Sequence, residues 1–467
     1  MKKSFASVSN IQKSYLNLKS FSVSVCGWVK TSRKSKNVLF IEINDGSTMA
    51  NLQLVAEEEV MKKFPDICKV SVGSSVAASG TLILTGKEKQ PFELRIEEFS
   101  ILGGASSDYP LQKKRHTLEF LRTIAHLRPR TNTYRAIFRV RSAAAFAIHS
   151  FFNKEGFLYV HTPILTGSDC EGAGEMFTVT SLNLKEVPKC SESCEVDFRE
   201  DFFGKHASLT VSGQLEGECM AMALGKVYTF GPTFRAEKSY TGRHAAEFWM
   251  IEPEMAFIDL EGNMENAQNM IKYVIKCVLD NCQEELEFFD NFYEKGLIDK
   301  LSGLVSSNFE RISYTEAIKI LEKSNENFQY KPSWGIDLQT EHERFLTEKV
   351  LKKPVFVINY PKDIKSFYMK RNLDGKTVAA MDLLAPGIGE IIGGSEREAD
   401  YDALLERMKE LNLKVEDYWW YLDLRKYGSA VHSGYGLGFE RLIMYLTGIS
   451  NIRDVLPFPR TTGNLEF

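Results

Sequence analysis

The sequence predicts an α+β protein in two parts: an N-terminal five-stranded closed β-barrel and a larger C-terminal domain on an antiparallel sheet flanked by helices. Two patterns and one charge asymmetry predict it. Residues 21–102 hold short runs of alternating apolar and polar residues, rich in Val, Ile and Phe, which read as strands. After residue 134 strands come in clusters separated by helical stretches, without the regular βαβ rhythm of a parallel sheet. The charge also changes sign along the chain. Residues 1–145 carry 23 Lys/Arg and 12 Asp/Glu, a net of +11, and residues 146–467 carry 35 and 50, a net of −15. A basic first third on an acidic remainder points to a polyanionic partner for the first part.

Taken in order, residues 22–30, 37–45, 50–55, 74–86 and 92–102 read as the five barrel strands, with turns at Asp45-Gly46 and Thr85-Gly86. A short helical stretch lies near residues 57–64. Five strands in about 85 residues fit a barrel of the oligonucleotide-binding (OB) type. The run Gly103-Gly104-Ala105-Ser106-Ser107 reads as a linker, and residues 113–141 as a basic hinge running into a helix over residues 135–153. That helix places Ile137, Phe138, Ala144, Ala145, Ile148, Phe151 and Phe152 at helical spacing. The expected division is a barrel over 1–103, a hinge over 104–133 and the larger domain over 134–467. In the latter, strands are expected at 157–160, 227–234, 247–257, 354–360 and 379–386, and helices near 261–290, 313–325 and 397–412.

Composition excludes several classes. With 43% hydrophobic and 26% charged residues the chain is not disordered. No apolar run approaches the roughly 18 residues needed to cross a bilayer, and residues 1–15 lack the apolar core of a signal peptide. Eight cysteines are scattered without a C-x-x-C pair, which argues against a disulfide scaffold and structural zinc and for a reduced, cytoplasmic setting. Neither a G-x-G-x-x-G nor a P-loop pattern is present, so a Rossmann or P-loop nucleotide site is not expected.

Three patches carry chemistry. The first, residues 140–163, is a helix and strand stopped by Pro163; alone it marks only a terminator. In the second, residues 230–249, two strands flank a loop. Arg235 and Glu237 repeat every two residues onto one face, and Arg243 and His244 sit at the tip, as in a phosphate-holding hairpin. The third, residues 434–441, is a glycine-alternating strand that ends at Arg441 on a helix start, where an anion binds favourably.

In this order the patches resemble the three signature motifs of class II aminoacyl-tRNA synthetases. Residues 126–132, 210–215, 385–395 and 416–421 resemble the asparaginyl branch of that family, bacterial type, and the likeness runs from Gly27-Trp28-Val29 to Phe458-Pro459-Arg460. The resemblance implies an OB-type anticodon-binding barrel, a class II catalytic domain and a homodimer built through the segment ending at Pro163. It implies a two-step reaction, formation of an aminoacyl-adenylate from ATP and then transfer to the 3′ end of a tRNA. The expected substrates are L-asparagine and tRNA(Asn) with a GUU anticodon.

Residue by residue, the resemblance assigns Arg235 to the α-phosphate and amino-acid carboxylate, a task suited to a planar guanidinium. Glu237 takes the adenine amino group, Phe248 stacks beneath the adenine, and Arg441 covers its other face and reaches the γ-phosphate. Arg243 and His244 hold the outer phosphates. Asp382 and Glu390, around a Pro-Gly turn, fit a Mg²⁺ bound with ATP, with Ser395 as a further oxygen ligand. Glu171, Ser212 and Gln214 surround the α-ammonium, Arg397 donates to the side-chain carbonyl, and Glu218 accepts from the amide. A carboxylate at that wall also repels aspartate. In the barrel, Phe40 is the stacking platform for the central uridine, and Gln53 and Glu93 read base edges. Three other readings stay open: an aspartyl or non-discriminating enzyme, an ammonia-dependent asparagine synthetase (which would lack residues 21–102), and a non-catalytic tRNA-binding paralogue (which would have lost Arg235, Glu390 or Arg441).

Overall fold

The computed structural model describes residues 5–14, 20–87, 90–171, 175–191 and 194–467. The chain forms two compact units, Met1–Ala136 and Ile137–Phe467.

In the first unit, β1 (Ser20–Ser35), β2 (Val38–Asn44), β3 (Leu52–Glu57), β4 (Ser75–Lys87) and β5 (Gln90–Gly103) close into a barrel in the order β1-β2-β3-β5-β4. β4 returns to pair antiparallel with β1, and β3 and β5 run parallel. The pleat sorts the side chains. Leu39, Ile41 and Ile43 of β2 are buried inside with Leu54, Val76, Leu94 and Ile96, while Val38, Phe40 and Glu42 face outward and are half-buried. The helix Glu58–Lys63 sets Met61 into the same core. The basic segment after the barrel packs on it: the Arg130 guanidinium lies 5.9 Å from the Trp28 ring centre and 5.8 Å from that of Tyr109.

The second unit holds β6 (Leu158–Tyr159), a small sheet of β7 (Leu165–Thr166), β8 (Thr178–Val179) and β9 (Ala207–Leu209), then β10 (Lys226–Phe234), β11 (Glu247–Ala256), β12 (Glu310–Ser313), β13 (Val355–Pro361), β14 (Thr377–Ala385), β15 (Gly389–Glu396) and β16 (His432–Gly438). Eight of these form one sheet, β12-β13-β14-β15-β16-β11-β10-β6, antiparallel except for its outermost pairs. The helix Leu260–Asn281 is capped by Asp259, which accepts from the Gly262 N–H, and buries Met264, Ala267, Ile271, Val274 and Val278.

Besides short elements that were not expected, such as β12 and the helices Leu297–Ser306 and Trp419–Lys426, the sequence reading differs in two long stretches. The stretch 261–290 is two helices, Leu260–Asn281 and Gln283–Phe292, divided at Cys282. β15 was not expected as a strand, its glycines carrying no β-propensity; sheet neighbours on both sides fix it instead. Among the described residues no helix is long and apolar enough to cross a membrane.

Candidate active site

One face of the large sheet carries the site, and strand alternation builds it. On β11, Phe248, Met250, Glu252 and Glu254 repeat every second residue onto that face. The adjacent β16 presents glycines there, in register Met250↔Gly438 and Glu254↔Gly434. The reason is steric: a Cβ at Gly434 would stand 2.3 Å from the Glu254 carboxylate. Gly434 therefore clears room on the sheet for the buried Glu254 carboxyl, and Gly436 for the Met250 side chain.

At one end of this face a single cleft is lined by Arg235, Glu237, Arg243, His244, Phe248, Glu390 and Arg441. These are all seven side chains expected around ATP. Arg235 Nη2 donates to Glu171 Oε1 at 2.6 Å, while its Nε is buried with no hydrogen-bond partner. The Arg235 guanidinium also lies 5.4 Å from the Phe248 ring centre. Burial, reinforced by the surrounding arginines, holds the His244 imidazole below its usual pKa. Arg243 donates to Thr340 Oγ1 at 2.9 Å.

Arg441 is fixed from below by its neighbour. The buried Glu440 accepts from Arg141 at 2.7 Å and from the Trp249 N–H at 2.9 Å, tying the long helix Asn132–Lys154 to the start of the helix Phe439–Thr447. Arg441 Nη1 then reaches the Glu390 carbonyl at 3.2 Å and its carboxylate at 3.4 Å. Burial opposes ionisation of Glu390, but Arg441 and Lys365 hold its carboxyl below the usual range.

Asp382 and Glu390 converge over Gly393: a Cβ there would lie 3.4 Å from Asp382 Oδ1 and 3.0 Å from Glu390 Oε1. Lys365 donates to the other Asp382 oxygen at 2.7 Å. Among the described residues no group of three His, Cys, Asp or Glu side chains could hold a metal. Two hard carboxylate oxygens fit a Mg²⁺ that draws its remaining ligands from phosphate and water. Ser395 lies further along β15, where its hydroxyl accepts from Arg397 Nη1 at 2.8 Å, which sets it with the arginine expected to read the amino acid. Glu343, which sequence reasoning missed, accepts from the Glu390 N–H at 3.1 Å, and burial with the nearby Glu390 charge pushes its carboxyl up to about 8.

At the other end of the face the charges are almost wholly buried. Ser212 Oγ donates to Glu252, which also accepts from the Gly213 N–H at 3.0 Å. Gln214 opens the helix Gln214–Leu224 and donates to Glu218 at 3.0 Å. Glu218 is fully buried rather than on a helix surface. Arg397 grips Glu254 through Nε at 3.2 Å and Nη2 at 2.5 Å, and its Nε lies 3.8 Å from Glu218. Sequence reasoning missed Glu252 and Glu254; their period-two spacing after Phe248 was the available signal.

On the barrel, Phe40, Gln53 and Glu93 lie on the outer face of β2, β3 and β5, each half-buried. Gln53 and Glu93 are register partners, and Gln53 donates to the Glu93 carboxylate at 3.4 Å. Arg33 stands 5.5 Å from the Phe40 ring centre. Phe40 is therefore not an inward core aromatic.

Comparison with known proteins agrees with this layout. The family of class II tRNA synthetases (D, K and N) matches residues 117–462, and an OB-fold nucleic acid binding domain matches residues 23–102. The chain is 61% identical over 460 residues to an asparagine–tRNA ligase of Clostridium perfringens, covering 98% of this chain and 99% of the relative. It is also 61% identical to that of Acetivibrio thermocellus, with the same coverage. The crystal structure of asparaginyl-tRNA synthetase from Pyrococcus horikoshii complexed with asparaginyl-adenylate superposes with a TM-score of 0.86 at 34% identity, covering 100% of this chain and 99% of that one. With its barrel, its sheet-borne cleft and these full-length likenesses, the chain belongs to the asparagine–tRNA ligases of the class II aminoacyl-tRNA synthetase family.

Proposed function

We propose that the sheet face binds ATP and L-asparagine end to end, with the residues in the roles the cleft chemistry supports. The protein activates L-asparagine with ATP to asparaginyl-adenylate and transfers the asparaginyl group to tRNA(Asn) in protein synthesis. The observation that carries the assignment is the meeting of Arg235, Glu237, Arg243, His244, Phe248, Glu390 and Arg441 in one cleft, beside a separate buried cluster of Ser212, Gln214, Glu218 and Arg397.

In this reading the asparagine carboxylate attacks the α-phosphorus, a P–O bond to the α-phosphate forms, and the bond to the pyrophosphate oxygen breaks. Arg235 holds carboxylate and α-phosphate together, its Nε the donor still free for them, so that geometry and charge stabilisation do the work without an enzyme nucleophile. Its partner Glu171 takes the α-ammonium with Ser212 and Gln214. Arg243, His244 and Arg441 hold the departing phosphates. Mg²⁺ bound with ATP at Asp382 and Glu390 would neutralise charge on those phosphates. The terminal ribose 3′ hydroxyl of the tRNA then attacks the activated carbonyl, releasing AMP. Glu218 and Arg397 read the side-chain carboxamide, one as acceptor and one as donor.

Phe40, Gln53 and Glu93 read the GUU anticodon, the protein acts in the cytoplasm, and two copies pair through the segment ending at Pro163. The exposed Phe146, Leu158 and Tyr159 along that segment, and Ile164 and Leu165 just past it, support the pairing. An active monomer at micromolar concentration by sedimentation would refute it. The central test is ATP–pyrophosphate exchange with asparagine against aspartate, followed by charging of tRNA with a GUU anticodon. Exchange with asparagine and charging of that tRNA is the expected result; preference for aspartate would overturn the amide reading.

A further inference from the structure

Glu218 carries more donors than an ordinary buried carboxylate. Its Oε2 receives Arg425 Nη2 at 2.8 Å, the Tyr421 hydroxyl at 2.7 Å and His432 Nε2 at 3.0 Å. Its Oε1 is shared between the same hydroxyl at 2.8 Å and Gln214 Nε2 at 3.0 Å, and it is the oxygen turned to Arg397 at 3.8 Å. Arg425 is itself fully committed. Its Nε donates to the Glu398 carbonyl at 2.8 Å, its Nη2 also donates to the Tyr421 hydroxyl at 2.9 Å, and its guanidinium lies 4.0 Å from the Tyr421 ring centre. The His432 ring lies between Glu218 and the Ala430 carbonyl, 2.8 Å from Nδ1. The Glu218, Tyr421 and His432 side chains are shut off from solvent, and Arg425 nearly so.

A carboxylate at that depth would ordinarily take up a proton, because burial disfavours the charged form. Burial does oppose it here, yet Arg425, His432 and Arg397 together hold the Glu218 carboxyl well below the usual range. The second carboxyl of the cluster, Glu254, is engaged by Arg397. Burial raises the Glu254 carboxyl to about 8, so Glu218, with Arg425 already engaged on it, is the carboxylate of the cluster held charged against an incoming acidic side chain.

We propose that Arg425, seconded by Tyr421 and His432, is a positioning residue that determines specificity, pinning Glu218 as a charged acceptor with Oε1 toward the amino-acid pocket and so barring aspartate. The proposal rests on the reading that Glu218 lines that pocket. Arg425 reaches no substrate and acts through Glu218 alone. Without it, Glu218 either protonates or swings, and a neutral carboxyl can donate to a substrate carboxylate as readily as it accepts from an amide.

The test is pyrophosphate exchange with asparagine and with aspartate for Arg425→Gln, Arg425→Lys, Tyr421→Phe and Glu218→Gln, each checked for folding by thermal melting. Arg425→Gln is expected to raise the KM for asparagine more than it lowers kcat and to raise the aspartate-to-asparagine ratio of kcat/KM by about tenfold or more, the effect of one pKa-unit equivalent. Tyr421→Phe, which removes one hydroxyl and leaves the ring in place, moves the ratio the same way by a smaller factor and decides the matter if Arg425→Gln does not fold. Arg425→Lys restores part of the asparagine preference. An unchanged ratio in folded Arg425→Gln and Tyr421→Phe, with Glu218→Gln altering it, overturns the role of Arg425 alone. An unchanged ratio in Glu218→Gln overturns the reading of Glu218 itself, and this proposal with it.

Discussion

The outer face of the barrel and the substrate face of the large sheet are built by the same rule, side chains alternating along strands, and differ in how much freedom they leave their polar groups. On the barrel, Phe40, Gln53 and Glu93 are half-exposed and share one long hydrogen bond of 3.4 Å. In the large unit, Glu254 of β11, Arg397 just past β15 and Glu218 of the helix Gln214–Leu224 are buried, and each is partnered. The first arrangement suits bases that are themselves mobile and bring their own stacking surface. The second suits a small substrate that must be told from an isostere differing by one charge, where preset geometry gives selectivity. The cleft around Arg235 and Arg441 is intermediate in character, and in it Arg235 Nε is buried without a hydrogen-bond partner.

The widest separation of the two regions is expected from the two arginines proposed to hold the phosphates. Arg235→Ala and Arg441→Ala should each lower adenylate formation by roughly a thousandfold or more, about 4 kcal/mol of transition-state stabilisation. Binding of tRNA, proposed to draw on the barrel, should persist. Near-normal pyrophosphate exchange in either folded variant would remove that residue from the site.

A steric change on the sheet comes next. Gly434→Ala puts a methyl group 2.3 Å from the Glu254 carboxylate, with Arg397 held on its other side. Overpacking of this kind costs about 1–3 kcal/mol, and the loss should fall on asparagine activation and on thermal stability together. A variant with unaltered KM for asparagine would show that Glu254 can move without disturbing Arg397.

Much of this contrast was legible in the sequence, for physical reasons that also mark where legibility stops. Alternation gave the barrel strands, and the ordered motifs gave the cleft residues, because a strand face and a phosphate loop are local patterns. β15 was not legible, since glycines at Gly393 and Gly394 carry no β-propensity and are placed by β14 and β16. Arg425, His432, Glu254 and Glu343 were not singled out either. A lone charged residue gives no local sign of burial, and these find their partners at long range: Arg397 and Glu254 are 143 positions apart, His432 and Glu218 are 214 apart. The resemblance placed Ser395 with the metal as a further oxygen ligand; on the strand its hydroxyl accepts from Arg397.

On the barrel side, Phe40→Ala should weaken charging of tRNA while leaving asparagine activation unchanged. The outward half-buried ring offers a stacking surface, and loss of such a platform costs about 1–3 kcal/mol per base. Equal loss in both half-reactions would mean that Phe40 supports the fold instead of the anticodon.

The smallest effect should come from the basic segment after the barrel, and the structure narrows where to look. Its arginines are not equivalent. Arg128 is buried and donates to the Tyr134 hydroxyl at 2.8 Å, and Arg130 is engaged with Trp28 and Tyr109, so both hold the fold. Lys113, Lys114 and Arg115 are exposed and carry charge toward solvent. Such side chains neutralise phosphates without reading sequence, and they release counterions as they do so. Single Ala substitutions at these three positions should therefore weaken all tRNAs about equally and lower the slope of log affinity against log salt by about 1 for each phosphate left without its cation. Phe40→Ala should do the reverse, changing affinity for the GUU anticodon at an unchanged slope. Measuring both variants over one salt series separates charge from base reading. If a Lys113, Lys114 or Arg115 variant loses discrimination between anticodons while keeping its slope, the division between a basic collar that attracts and a strand face that reads is wrong.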